Sequence, residues 1–174
     1  MNYDAEKGRY REQAAEQVWM AGQTLTIETA GAEVPSFAVD IQPLWGVVLE
    51  APALPKQGDK MVVDIGSDLP VRWTTDMVED GDIFTAKLTA KTSNDSSYAL
   101  ACDWDATAGE GSVPASLLGR FDETEGTGQY DFTVARTRST SAGDVDVAIE
   151  VRSEVDDEPG ATTDGRGKAR FETQ

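Results

Sequence analysis

The chain has 174 residues, 39% of them hydrophobic, with 16 glycines, one cysteine, no histidine and a net charge of −17 from 32 acidic and 15 basic side chains. That length suits one ordinary domain with extra segments and a real core, and the glycine content suits many short strands joined by turns. The charge leaves no broad basic surface, which disfavours nucleic acid and anionic membranes as partners, and the missing histidine removes Ser-His and Cys-His nucleophiles, imidazole zinc sites and histidine pH switches.

Cys102 has no second thiol to pair with, so neither an internal disulfide nor a multi-cysteine metal site is available. No stretch approaches the roughly 18 consecutive apolar residues of a membrane helix. The start, Met1-Asn2-Tyr3-Asp4-Ala5-Glu6-Lys7, has no following apolar region and is not a signal peptide. If the protein is exported, its leader is missing from this sequence.

From Asp4 to Gln17 the residues are polar helix formers with a thin stripe of Tyr10, Ala14 and Val18, which reads as a short helix or an irregular arm. Thr24 to Thr29 alternates and is rich in β-branched residues, a strand signal. Phe37 to Ile41 alternates again. Leu44 to Leu49 is nearly all apolar and stops at Ala51-Pro52, which suits a strand buried on both sides. Lys60 to Ile65 is a further short strand.

Leu69-Pro70-Val71-Arg72-Trp73 puts Leu69, Val71 and Trp73 on one face, although Pro70 donates no ladder hydrogen bond and belongs at a strand's start or edge. Ile83 to Lys91 follows the turn Glu79-Asp80-Gly81-Asp82 and places Phe84, Ala86, Leu88 and Ala90 on one side. After a polar turn at 92–97, Tyr98, Leu100, Cys102 and Trp104 share the next apolar face. Ser112 to Leu118 suggests one helical turn, with Pro114 near its start and Gly119 as its stop. Strands are expected from Gly128 to about Thr137 and, past a turn at 139–143, from Asp144 to Arg152 with Val145, Val147, Ile149 and Val151 as an apolar face. From Ser153 the composition turns to Asp, Glu, Gly and Thr, which predicts a mobile tail with at most a late edge strand at Ala169-Arg170-Phe171. Eight or nine short strands spaced by turns predict an all-β antiparallel sandwich.

Between Leu49 and Val151 the order of motifs resembles a fibronectin type III or related immunoglobulin-like module. A strand ends at a proline (Leu49-Glu50-Ala51-Pro52), and a second ends in tryptophan (Leu69 to Trp73). A long alternating strand follows, and a leucine-bearing corner (Val113 to Leu117) precedes Gly126-Thr127-Gly128-Gln129-Tyr130. The resemblance implies that Trp73 sits between the sheets and that the Tyr130 hydroxyl caps a corner, with Phe132 where the second immunoglobulin cysteine would stand. Gly22-Gln23-Thr24-Leu25-Thr26-Ile27 followed by Val34-Pro35-Ser36-Phe37 is similar to bacterial envelope lipoproteins and secreted proteins of unassigned function. Such families imply no catalytic residues.

The expected organisation is thus an N-terminal extension over 1–43 carrying extra strands, an immunoglobulin-like β-sandwich over 44–154 and an acidic tail over 155–174. Trp73 and Trp104 fall on apolar faces and Trp45 in an apolar run, so packing is a better account of them than ligand stacking, while Trp19 is expected to cover a core edge. Asp144, Asp146 and Glu150 share a strand face, the arrangement a carboxylate-based glycoside hydrolase or a carbohydrate-binding surface would need, but that face is opposite the apolar stripe and a solvated face explains it without a site. Glu79, Asp80 and Asp82 in one turn, and Asp103 and Asp105 in another with Glu110 near, supply oxygens for a surface calcium ion; the glycine and the terminal glutamate of a calcium loop are missing, Pro114 standing in the latter's place. Cys102 is expected to be a buried, inert thiol. The expectation is a non-catalytic structural, adhesive or partner-binding module of the cell envelope or exterior, without cofactor unless calcium stiffens it, facing an unidentified protein or glycan at the cell surface.

Overall fold

The computed structural model describes residues 2–4, 9–11, 22–31, 35–44, 47–55, 60–75, 77–92, 96–155 and 170–174. Thirteen strands form among them: β1 (Asn2–Asp4), β2 (Arg9–Arg11), β3 (Leu25–Thr29), β4 (Phe37–Ile41), β5 (Val48–Ala51), β6 (Met61–Val63), β7 (Leu69–Thr74), β8 (Ile83–Thr92), β9 (Ser97–Asp105), β10 (Glu110–Val113), β11 (Thr124–Ala142), β12 (Val145–Glu154) and β13 (Arg170–Thr173). One helical turn, α1 (Ala115–Leu118), runs on into a 3₁₀ turn over Gly119–Glu123. The chain is therefore all-β, as its alternating pattern predicts.

Two sheets enclose the core. The smaller runs β10-β7-β5, and the larger runs β6-β13-β11-β8-β9, with β12 continuing beside the far half of β11. All pairings are antiparallel except β13 with β6. The alternation in β8 carries through to burial: Phe84, Ala86, Leu88 and Ala90 point into the core, while Ile83, Lys87 and Lys91 are exposed. The indole of Trp73 crosses from β7 to lie on Phe84, ring centroids 3.9 Å apart and planes 8° from parallel. Its Nε1 donates to the Ala106 carbonyl at 2.7 Å, so the one polar atom of this buried ring is satisfied. Phe121, Phe132 and Phe171 complete the aromatic interior.

Pro70 is accommodated because β5 pairs with β7 only around Arg72–Thr74. At Pro70 the strand pairs, among the described residues, only with β10, through Ser112. Asp68, just before β7 and beside the end of β10, accepts the Ala115 N–H at 2.8 Å, capping a helical turn whose own Pro114 has no side-chain acceptor to offer.

Several expectations change. Residues 2–4 and 9–11 pair as strands and not as a helix or arm, whereas 12–21 lie outside the described residues. Ser112 and Val113, expected to begin the helical turn, instead end strand β10; Tyr130 lies within β11 opposite Leu88, not at a corner. Past Ala135 β11 parts from β8 and runs on to Ala142 with β12 as its only paired strand among the described residues, and the Val145–Val151 face is not fully buried: Val145 is 41% exposed, and Val147, Ile149 and Val151 are half-buried. The hairpin β3–β4 forms a separate small sheet, and β4, with Val39 and Ile41 buried, lies against β11. β13 is no edge strand, since it is hydrogen-bonded between β6 and β11.

Candidate functional site: an acidic turn held by a buried arginine

At one end of the sandwich the β7–β8 turn, the β9–β10 link and the root of the β11–β12 ribbon meet. Phe132, Val134 and Arg136 share the inward face of β11, so the strand period itself carries a guanidinium into the interior. Arg136 and Asp82 are each 1% exposed. The Asp82 carboxylate accepts from Arg136 Nε at 3.0 and 3.2 Å and from Nη2 at 2.6 Å, which is the two-pronged geometry that planar guanidinium favours. Two backbone carbonyls take further donors: Nη1 donates to the Gln42 carbonyl at 3.2 Å and Nη2 to the Met77 carbonyl at 2.7 Å. The hydrogen bonds to Asp82 hold the Arg136 pKa above its ordinary value, against the opposing effect of burial.

Three backbone N–H groups hold the turn closed. Glu79 N–H donates to Asp82 Oδ2 at 2.8 Å, Asp82 N–H to the Glu79 carbonyl at 3.1 Å, and Ala106 N–H to the Asp82 carbonyl at 2.8 Å. The exposed Glu79 carboxylate then spans Arg138 Nη2 at 2.6 Å and Arg136 Nη1 at 3.7 Å. One residue, Arg136, thereby ties together the link after β4, the β7–β8 turn and the ribbon.

The five carboxylates expected in calcium loops are not gathered into one site. Glu79 and Asp82 converge on Arg136, and Asp80 is exposed on the turn. For Asp82 the expectation of a surface ligand is corrected: it faces inward, and both its oxygens are taken by Arg136, because a buried carboxylate is stable only when paired. Asp103 accepts from the Thr85 hydroxyl at 2.7 Å across the β8–β9 pair. Asp105 accepts from the Thr107 hydroxyl at 2.6 Å and its N–H at 2.9 Å, and these bonds lower its pKa. Among the described residues no three His, Cys, Asp or Glu side chains converge as a cation site.

Asp144, in the turn before β12, and Asp146 and Glu150 on it are exposed; Asp146 accepts from the Ser141 hydroxyl at 3.1 Å and Glu150 pairs with Arg152 at 2.9 Å. Trp73 is 2% exposed, and Trp104 is half-buried against the core, its indole lying over Gly111. Trp19 and Trp45 lie outside the described residues. Cys102 is half-buried, and burial, then the charge of Asp103, pushes its thiol pKa up, which favours the protonated form.

Arg136, Arg138 and Gln42 went unnoticed in the sequence. The available signal was a charged residue on the apolar stripe of Phe132 and Val134. Compared with protein-family models, curated proteins and solved structures, the chain has no match.

Proposed function

We propose that the chain is a non-catalytic immunoglobulin-like module of the fibronectin type III kind, working as a structural, adhesive or partner-binding unit of the cell envelope or exterior. The fold part of this reading rests on strand order. Strands β5, β7 and β10 correspond to A, B and E of such modules, and β8, β9, β11 and β12 to C, C′, F and G, with β6 and β13 as additions.

The functional part rests on one observation. The acidic turn carrying Glu79 and Asp80 and the ribbon that projects beyond Ala135 are both fixed to the sandwich by Arg136. A loop held in place before a partner arrives loses little freedom on binding, which is how rigid scaffolds present recognition surfaces. The mixed charges of Glu79, Asp80 and Arg138 suit a polar, charge-complementary partner at the cell surface.

The test uses the whole chain immobilised against a panel of cell-surface glycans and envelope proteins, together with the variant Glu79→Lys/Asp80→Lys. Binding that falls at least tenfold in the variant, with unchanged melting, is the expected result. Equal binding by both chains, or none by either, would remove this surface from consideration.

A further inference from the structure

β13 occupies a slot in the larger sheet. Phe171 stands opposite Met61 of the parallel β6 and opposite Gly128 of the antiparallel β11. Its ring is fully enclosed, meeting Phe121 edge-on at 5.4 Å and 90°. Gly128 makes the room: a Cβ there would lie 2.5 Å from Phe171 Cε1 and 2.3 Å from the Thr89 carbonyl oxygen. The other attachments of β13 are polar. Gln174 N–H donates to the Val63 carbonyl at 3.1 Å, Ile65 N–H to the Gln174 carbonyl at 3.3 Å, and Lys60 pairs with Glu172 at 3.3 Å.

This is the physics of strand addition, in which main-chain pairing supplies affinity and one side-chain pocket supplies selectivity. The tie between β13 and the rest of the chain, residues 156–169, contains Gly160, Gly165 and Gly167 and no large apolar side chain. Its contour allows a reach of roughly 50 Å at about 3.3–3.6 Å per residue. A compact chain of this size has a radius of gyration of only about 16 Å. The tie is therefore long enough to carry β13 to a neighbouring molecule.

We propose that the slot between β6 and β11 is a strand-receiving site, and that it accepts Arg170–Gln174 of a second copy of this chain, so that copies exchange β13. Every contact made within one copy is available unchanged between two, so exchange costs the joining of two molecules and gains no strain. The tethered strand closes its own slot first, because the tie holds it at a high effective concentration. The net charge of −17 opposes the approach of a second copy, so exchange strengthens as salt screens it. It needs no other partner and stands whether or not the acidic turn binds one.

Two complementary full-length variants test it. Phe171→Ala spoils the donor strand and leaves the slot intact; Gly128→Val blocks the slot and leaves the donor intact. Mixed at equal concentration, they form a heterodimer of twice the 18.7 kDa chain mass in native mass spectrometry, more of it at higher salt, whereas neither does so alone. Two folded variants that give no heterodimer overturn the proposal. Should Gly128→Val not fold, a synthetic peptide of residues 168–174 is titrated into Phe171→Ala. A rise in melting temperature, or folding induced by the peptide, that is lost when the peptide carries Ala in place of Phe supports the slot; no difference between the two peptides overturns it.

Discussion

Arg136 and Asp82 form a buried ion pair at 2.6 Å in which nearly every donor and acceptor is spent on the fold around it. Removing one partner leaves the other charged and unpaired in the interior. Asp82→Asn is expected to destabilise by about 3–5 kcal/mol, and Arg136→Met by a similar amount, while the double variant should lose less than the sum of the two. Urea unfolding of all four chains measures the coupling; strictly additive losses would show that the pair acts as two independent groups.

Trp73 combines a stack on Phe84 with a buried hydrogen bond to Ala106. Trp73→Phe keeps much of the ring and orphans the Ala106 carbonyl, an expected cost of about 1–3 kcal/mol. Trp104 is half-buried and makes only tilted contacts, at 6.1 Å to Trp73 and 6.4 Å to Phe84, so Trp104→Phe is expected to cost less. Thermal melts that rank the two variants the other way would contradict this account of the core.

Gly111 and Gly128 both leave no space for a Cβ, but the obstacles differ. At Gly111 the nearest atoms belong to the Trp104 side chain, which reaches partly to solvent and has somewhere to swing. At Gly128 the nearest atom is a backbone oxygen, that of Thr89, inside a strand pair. Gly128→Ala is therefore expected to destabilise more than Gly111→Ala, with overpacking costs of about 1–3 kcal/mol setting the scale. Chemical denaturation of the two single variants decides it.

Asp64 and Asp105 titrate below the usual aspartate value of 3.8, Asp64 through the Gly66 N–H and then the Ser67 hydroxyl, Asp105 through the Thr107 hydroxyl and N–H. A carboxyl whose pKa is lower folded than unfolded binds fewer protons in the folded state. Its contribution to stability is complete above pH 3.8 and is lost as pH falls through the folded value. Asp105→Asn keeps an acceptor for the Thr107 N–H and removes the titration, so melting should depend less on pH between about 5 and 2 than in the parent. An unchanged acid limb in both Asp64→Asn and Asp105→Asn would refute the assignment.

Cys102 should resist thiol reagents at neutral pH and react more readily as pH rises towards its elevated pKa, or at once in denaturant. Rates of alkylation followed by mass spectrometry provide the check.

Strand periodicity made much of the sandwich legible in advance. Phe84 to Ala90, Tyr98 to Trp104 and Leu69 to Trp73 announce their buried faces because a side chain's direction alternates with each residue, whatever lies across from it. The single helical turn at Ala115–Leu118 was signalled by Pro114 before it. Trp73 was placed in the core by the same alternation, and its burial moves attention from aromatic stacking to the loops.

What the amino-acid sequence determined by itself is local: the longer alternating strands with their apolar faces, and the chemistry ruled out by the lack of histidine and of a second cysteine. What only the tertiary structure decided is long-range. Asp82 and Arg136 lie far apart in the chain, so nothing local marks the carboxylate as a buried partner in place of a surface oxygen. Phe171 stands alone in a polar stretch, and its enclosure depends on a slot made by Gly128, Phe121 and Met61 from other parts of the chain. The apolar face of β12 likewise reads as core from its period, yet its burial depends on how far β8 accompanies β11, which is a property of the assembled sheet and not of the strand.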